Sequence, residues 1–369
     1  MRICVINHPD TTNLTPLNNL IKILTTTTPP IYLIIGDYEF HYFKTENNIN
    51  TLCISNKKIY NPFLRIFNYL FLQINIIKKI VILKNKVDSF IFFIGGDTLL
   101  FPIIFSRLLN KKVILLLAGS SIKTHESNYD SLVSGLKFLR FFSLHFANEI
   151  IVYSKLLIQD YHITSYRHKI LIAHEHFLDF TKFTIITPYS DRPPLIGYIG
   201  RLSAEKGVQN FTEALSAIIS NQQDLHVIIG GDGPLRDAIE TALQEAGIAD
   251  HVDFPGWISH DDLPKYLNQL RLLVLPSYTE GLPNIMLEAM ACGTPVLATS
   301  VGAIPDVIQD EVTGFIMENN TPECIAQNVM RALNHPDLEG IAERGRQYVE
   351  KEFTFEKAVE RWREILNDI

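Results

Sequence analysis

The chain has 369 residues, 47% of them hydrophobic and 20% charged, a balance that excludes a disordered or fibrous protein and a length that favours two domains over one core. Its net charge of −7 hides a division: residues 1–185 carry 20 Lys and Arg against 12 Asp and Glu (+8), and the remainder carries 13 against 28 (−15). Only the first half is thus suited to an anionic partner, unless its Lys, Asn and Ile merely follow compositional bias.

Cys4, Cys53, Cys292 and Cys324 are scattered, without the paired spacing of a zinc site or a disulfide framework, which fits a reducing cytoplasm. The opening "MRICVINHPD" has too short an apolar run for a signal peptide. The runs at 66–77 and 90–105 are respectively too short and too broken by Gly, Asp and Pro for a transmembrane helix.

In chain order, "RICVIN", "IYLIIGD", "NTLCIS", "SFIFFIG", "KVILLLAG" and "EIIVYS" read as strands. Between them "NLIKIL", "LRIFNYLFLQINIIKKIVIL", "TLLFPIIFSRLL" and "SLVSGLKFLRFFSLHFA" read as helices. "ITPYSDRPP" (186–194) reads as a linker. Beyond it the alternation is plainer. "PLIGYIG", "DLHVIIGGDGP", "HVDFPG", "LRLLVLPS" and "TPVLATS" are apolar runs followed by turns. "VQNFTEALSAIIS", "LRDAIETALQEAG", "LPNIMLEAMACG" and "TPECIAQNVMRALN", the last with a Thr cap, have helical spacing. Continuous apolar strands alternating with helices predict parallel sheets covered on both faces. The expected fold class is α/β: two doubly wound, Rossmann-like domains facing across a cleft. The expected domains are 1–187 for an acceptor, 188–352 for a donor, and a helix at 353–369 packing back toward the first.

In such sheets ligands lie beyond the carboxyl ends of the strands. The residues following the second-half strands are therefore the ones to inspect. Arg201 and Lys206 stand five apart across a turn and can address one anion, Arg as a fork and Lys as a point charge. Pro283 suits the first turn of a helix, and the free N–H groups of that turn would add an anion site. Glu280 and Glu288, eight apart, cannot hold phosphate. As acceptors they suit hydroxyl groups. An acid on each side of a diphosphate site matches a nucleotide sugar, with its sugar on one side and its ribose on the other.

"GRLSAEKG", "GDGP", "FPGWIS", "LPSYTEGLPNIMLEAMACGTPVLATSVGAIPDVI" and "TGFIM", in that order, resemble the retaining family 4 glycosyltransferases of GT-B fold. The likeness covers about 150–200 residues. It implies transfer of a sugar from a nucleotide-diphosphate sugar, as co-substrate rather than cofactor, with retained configuration. It also implies no metal, and no Asp-x-Asp occurs in the chain. Carried over by position, Arg201 and Lys206 would bind the diphosphate and Glu280 the transferred sugar, these three forming the catalytic set. Gly281, Leu282, Pro283 and Asn284 would shape the phosphate turn, Glu288 would hold the ribose, and Trp257 and Ile258 would border the base.

The first half departs from that pattern. "INHPDTTNLTPLNN" lacks a glycine-rich loop, and Ala118, Gly119 and Ser120 stand where many relatives have a His. The backbone of Gly119 and Ser120 would still approach the donor sugar. "HEH" (174–176) reads as a loop rather than a metal site, having no third ligand. Residues 63–86 and 136–146 mix aromatics with Lys and Arg, as helices lying on an anionic membrane do. The expected partners are a nucleotide-sugar donor, a glycan or lipid-linked acceptor and a membrane surface reached through the basic first domain, with no nucleic acid. The expected location is the cytoplasm, at the inner face of the membrane. The alternatives are a catalytically silent partner subunit and a sugar-nucleotide epimerase.

Overall fold

The computed structural model describes residues 1–9, 14–56, 61–118 and 133–369. The chain forms two compact units, residues 1–177 with 355–369, and residues 178–354.

In the first unit the strands are β1 (Ile3–Ile6), β2 (Ile31–Ile35), β3 (Ile49–Cys53), β4 (Ser89–Phe92), β5 (Lys112–Leu117), β6 (Glu149–Val152) and β7 (Ile170–Ile172). They form one sheet in the order β3-β2-β1-β4-β5-β6-β7, with every pairing parallel. In the second unit β8 (Leu195–Ile199), β9 (His226–Gly230), β10 (Val252–Gly256), β11 (Leu272–Leu275), β12 (Val296–Thr299) and β13 (Phe315–Met317) form a second parallel sheet, ordered β10-β9-β8-β11-β12-β13.

Each sheet is two-sided and dry. All residues of β1, β4, β8, β11 and β12 are buried, as expected where helices cover both faces. In each sheet the strand order reverses once, between β1 and β4 and between β8 and β11. Such a reversal splays the flanking loops apart and opens a crevice at the carboxyl ends.

Eleven strands coincide with the apolar runs read from the sequence. The two that do not, β7 and β13, have three residues each, too few to show a period. The helix Leu338–Glu352 was equally silent, because its charged residues mask the buried line Leu338, Ile341, Ala342, Gly345 and Val349. The cap at Thr321 is real: its side chain accepts from the Cys324 N–H at 3.3 Å.

The closing helix, Phe355–Asp368, belongs to the first unit and packs on the helix Leu14–Thr27. Its Trp362 is fully buried and donates from Nε1 to the His174 carbonyl at 3.0 Å. Beside that carbonyl, the 174–176 segment turns Glu175 into the interior, where it accepts from the Tyr153 hydroxyl at 2.5 Å. Among the described residues no three His, Cys, Asp or Glu side chains gather to hold a metal.

Burial raises the Glu175 carboxyl to about 7, against the lowering effect of the Tyr153 hydrogen bond. Ionisation is therefore harder in the fold than in the unfolded chain, so stability falls as pH rises from the ordinary glutamate range through 7 and levels off above it. Glu175→Gln keeps an acceptor for Tyr153 without the charge. Urea unfolding of both proteins from pH 5 to 8 should show the variant gaining on the parent as pH rises, by on the order of 2 kcal/mol. Parallel pH curves would refute the assignment.

Candidate active site

The site is built where β8 and β11 end side by side. The segment after β8 is pinned to the one after β9: Gly200 N donates to Gly230 O at 2.9 Å and Leu202 N to Asp232 O at 3.0 Å. Buried Tyr198, on β8, donates its hydroxyl to the Arg201 carbonyl at 2.7 Å and fixes the first turn of the loop. Burial, and then the carboxylates of Glu280 and Glu205, hold that phenol far above its ordinary range, so it remains a donor.

A short 3-10 turn, Ala204–Lys206, follows and ends at Gly207 with φ +65°. A Cβ at Gly207 would lie 2.0 Å from the Pro276 carbonyl. The β8 loop thus rests directly on the backbone leaving β11, which carries Lys206 to the "TEGLPN" turn. Lys206 Nζ donates to Glu280 Oε1 at 2.7 Å, and the same oxygen accepts from Ser277 Oγ at 2.8 Å. Arg201 is exposed, and its side chain meets no hydrogen-bond or ionic partner among the described residues.

Residues 280 and 281 are in turn pressed against the segment after β12. Ala303 N donates to Gly281 O at 2.7 Å. Gly302, at φ +62°, comes so near that a Cβ there would lie 2.3 Å from the Glu280 carbonyl and 2.6 Å from that of Gly281. Leu282 is buried beneath the turn. The helix that follows is Asn284–Ala291, and Pro283 stands one position earlier than expected, as its N-cap, with φ −73° and ψ 119°. Among the described residues no acceptor meets the N–H groups of Gly281, Leu282, Asn284 or Ile285. Four donors thus lie within five residues at the positive end of a helix, close in sequence to the Lys206 contact.

Glu288 is the fifth residue of that helix and only 6% exposed. Its Oε1 lies 3.0 Å from His260 Nε2. Trp257, just past β10, is 80% exposed. Ile258 lies over the end of β9, with its side chain 2.5 Å from where a Cβ of Gly230 would stand. Arg201, Lys206, Glu280, Gly281, Leu282, Pro283, Asn284, Glu288, Trp257 and Ile258 all belong to the second unit. Gly119 and Ser120 lie outside the described residues.

Two supports of the site carried no local signal. His260 reaches Glu288 across 28 positions. Arg192 is buried and supplies the other end of the helix: it donates to Cys292 O at 2.7 Å, Leu270 O at 2.9 Å, Thr294 Oγ1 at 2.8 Å and Thr187 O at 3.2 Å. Cys292 itself is a small buried residue whose thiol burial pushes up to about 12, which makes it inert.

A parallel α/β unit with a cationic, amide-rich rim at its switch point has a geometry suited to phosphorylated ligands. Comparison with known proteins narrows that class: residues 180–351, nearly all of the second unit, match the model of the family Glycosyl transferases group 1. The chain is 36% identical over 149 residues to the alpha-D-kanosaminyltransferase of Streptomyces kanamyceticus, covering 40% of this chain and 38% of that protein. It is 31% identical over 181 residues to the N-acetyl-alpha-D-glucosaminyl L-malate synthase of Bacillus anthracis, covering 49% and 47%. The matches thus span less than half the length of these relatives. Over the full length of both chains the fold matches Anabaena Alr3699/HepE, solved in complex with UDP-glucose, at a TM-score of 0.77 and 16% identity. The fold is GT-B.

Arg192 is a buried cation held by carbonyl oxygens and the negative end of the Asn284–Ala291 helix. Truncation leaves those acceptors without a donor, so Arg192→Ala should lower unfolding stability by about 3 kcal/mol. Chemical denaturation measures it, and a loss under about 1 kcal/mol would contradict this role.

Proposed function

We propose that the protein is a family 4 glycosyltransferase that moves a sugar from a nucleotide-diphosphate sugar to a hydroxyl of a glycan or lipid-linked acceptor, with retention and without a metal. The observation that carries this reading is the turn 280–285: unpaired N–H groups beside Lys206, with Glu280 on one side and Glu288 on the other. The names of the relatives and the UDP-glucose held by the structural neighbour agree with it.

In this reading the bond between the anomeric carbon and the diphosphate oxygen breaks as the acceptor oxygen bonds to that carbon and releases its proton. Negative charge grows on the departing phosphate. Lys206, Arg201 and the four amides face that charge and stabilise it more than they stabilise the bound donor, which lowers the barrier. The ammonium has three donors, and Glu280 takes one. Glu280 Oε1 is engaged by Lys206 and Ser277, so its other oxygen is the one for a sugar hydroxyl. Glu288 serves the ribose, and Trp257 and Ile258 border the base.

The acceptor side of the proposal includes an anionic membrane. Among the described residues one helix, Leu64–Leu83, is long and apolar enough to cross a bilayer. Leu72, Ile76 and Ile80 of that helix are buried in the first unit, so it lies on the surface. Leu64, Phe67, Phe71, Ile74 and Ile82 form an exposed apolar stripe on it, with Arg65, Lys78 and Lys79 alongside. That pairing of apolar and cationic side chains suits lipid tails and acidic head groups.

Thermal-shift measurements with UDP-, GDP- and ADP-sugars should show one base class raising the melting temperature. That rise should vanish in Lys206→Ala and Glu288→Ala. Slow donor hydrolysis should accompany it, whereas binding without hydrolysis or transfer would favour a silent partner subunit. No shift with any of them would refute a donor site. In co-sedimentation, vesicles with acidic lipid should retain the protein better than neutral ones, and Phe67→Glu with Phe71→Glu should release it. Equal retention of parent and variant would refute the membrane face.

A further inference from the structure

The reading of Glu288 as the ribose acceptor leaves His260 and Lys182 without a role, yet Lys182 contacts His260 and His260 contacts that carboxylate. Asp179 sets up the approach: its backbone carbonyl accepts from Lys182 N at 3.1 Å and from Phe183 N at 2.9 Å. Its carboxylate accepts from Thr181 N at 3.0 Å. This turn delivers Lys182 Nζ to Asp261 Oδ1 at 2.6 Å and to His260 Nδ1 at 3.0 Å. The turn "SHDD" after β10 is closed by Ser259 Oγ, which donates to Asp262 Oδ2 at 2.7 Å. The His260 ring stands edge-on to Phe183 with centroids 5.2 Å apart. From there Nε2 reaches Glu288 Oε1 at 3.0 Å.

The chemistry of the three groups fixes the direction of the chain. An ammonium has only donors, so Nδ1 of His260 must accept from Lys182. A neutral imidazole that accepts at Nδ1 carries its proton on Nε2, and that proton is donated to Glu288 Oε1. The carboxylate is then held by one oxygen. Its second oxygen accepts from no described residue. An acceptor oriented in this way, on a buried helix side chain, is presented to a partner with hydroxyl donors.

We propose that Lys182 and His260 form a positioning relay that fixes Glu288 to receive the ribose hydroxyls of the nucleotide, making this chain selective for a ribose diol over a deoxyribose. The proposal rests on the donor-site reading above. Neither residue touches the reacting atoms; both act through Glu288.

Calorimetric titration of the full chain with UDP and GDP, each beside its 2′,3′-dideoxy counterpart, separates positioning from mere structure. For whichever ribonucleotide binds, His260→Ala should raise Kd about 5–10-fold, less than the loss of a direct charge-assisted hydrogen bond because His260 acts through Glu288. The dideoxy form should bind parent and variant within about twofold, since it has no diol for Glu288 to receive. His260→Gln, whose amide both accepts from Lys182 and donates to Glu288, should recover part of the loss. Lys182→Met should weaken ribonucleotide binding about 2–3-fold, because the tautomer is no longer imposed. Equal weakening of ribo and dideoxy forms by His260→Ala, or none of either, would overturn the relay. If Glu288→Ala abolishes the ribose preference and His260→Ala leaves it intact, the relay alone fails. If neither nucleotide binds the parent, the donor reading fails with it.

Discussion

The site depends on backbone packed against backbone at the reversal of the second sheet. Gly207 against Pro276 O and Gly302 against Glu280 O are contacts that no side chain with a Cβ would permit, and both residues also hold positive φ. They draw the loops after β8 and β12 onto the turn after β11. The drawn-in turn spends its carbonyls inward, Gly281 O on Ala303 N, and leaves its N–H groups without acceptors among the described residues. Backbone donors left unpaired at a surface are matched by water at little cost, and an anion that replaces that water gains all of them at once. The fitness of this turn for an anion follows from chain geometry before any side chain is counted.

The second half of the chain is strongly acidic, yet an anion site within it is consistent. Charges on the far surface are screened within about 8 Å at physiological salt. What counts is the first few ångströms, where Lys206 and Arg201 are not equivalent. Lys206 is held in place by Glu280, which reduces its charge effect but spares it the entropy of being ordered by a ligand. Arg201 is exposed and, among the described residues, uncommitted, and its full charge would be available to steer an approaching anion. One cation is preorganised and the other is free, and a single site gains from both.

Much of this was legible from the sequence because it is local. Arg201, Lys206, Glu280 and the Gly-Leu-Pro-Asn run each follow a strand that apolar runs revealed, so a rule about strand ends was enough to gather them. The parts that were not legible are joined over long distances. His260, in a turn, is paired with a carboxylate on a helix and with a lysine 78 positions earlier, and no local pattern encodes such a triad. Arg192 read as part of a proline-rich connection, whereas its side chain is a buried clamp on Cys292 and Leu270. Pro283 was misplaced by one residue because a proline without an N–H suits the cap as well as the first turn. Three-residue strands and a charge-rich helix show no apolar period in sequence, because their burial is visible only in three dimensions.

The helix Asn284–Ala291 links these contacts. Its eight residues span about 12 Å, so both ends act on one short dipole. Arg192 is buried at the carboxyl end, and unpaired amides mark the other. A cation fixed at the negative end favours the helical state whether or not a ligand is present, so the amides are already aligned when an anion arrives. That is preorganisation of the kind transition-state stabilisation requires: the dipole does not have to be assembled as charge appears on the leaving group. Glu288, one turn inside the same helix, is carried by the same rigid body. In the proposed donor site, phosphate contact and ribose contact would thereby be set at a fixed spacing by a single element, and a ligand of the wrong length between phosphate and diol would forfeit one of the two.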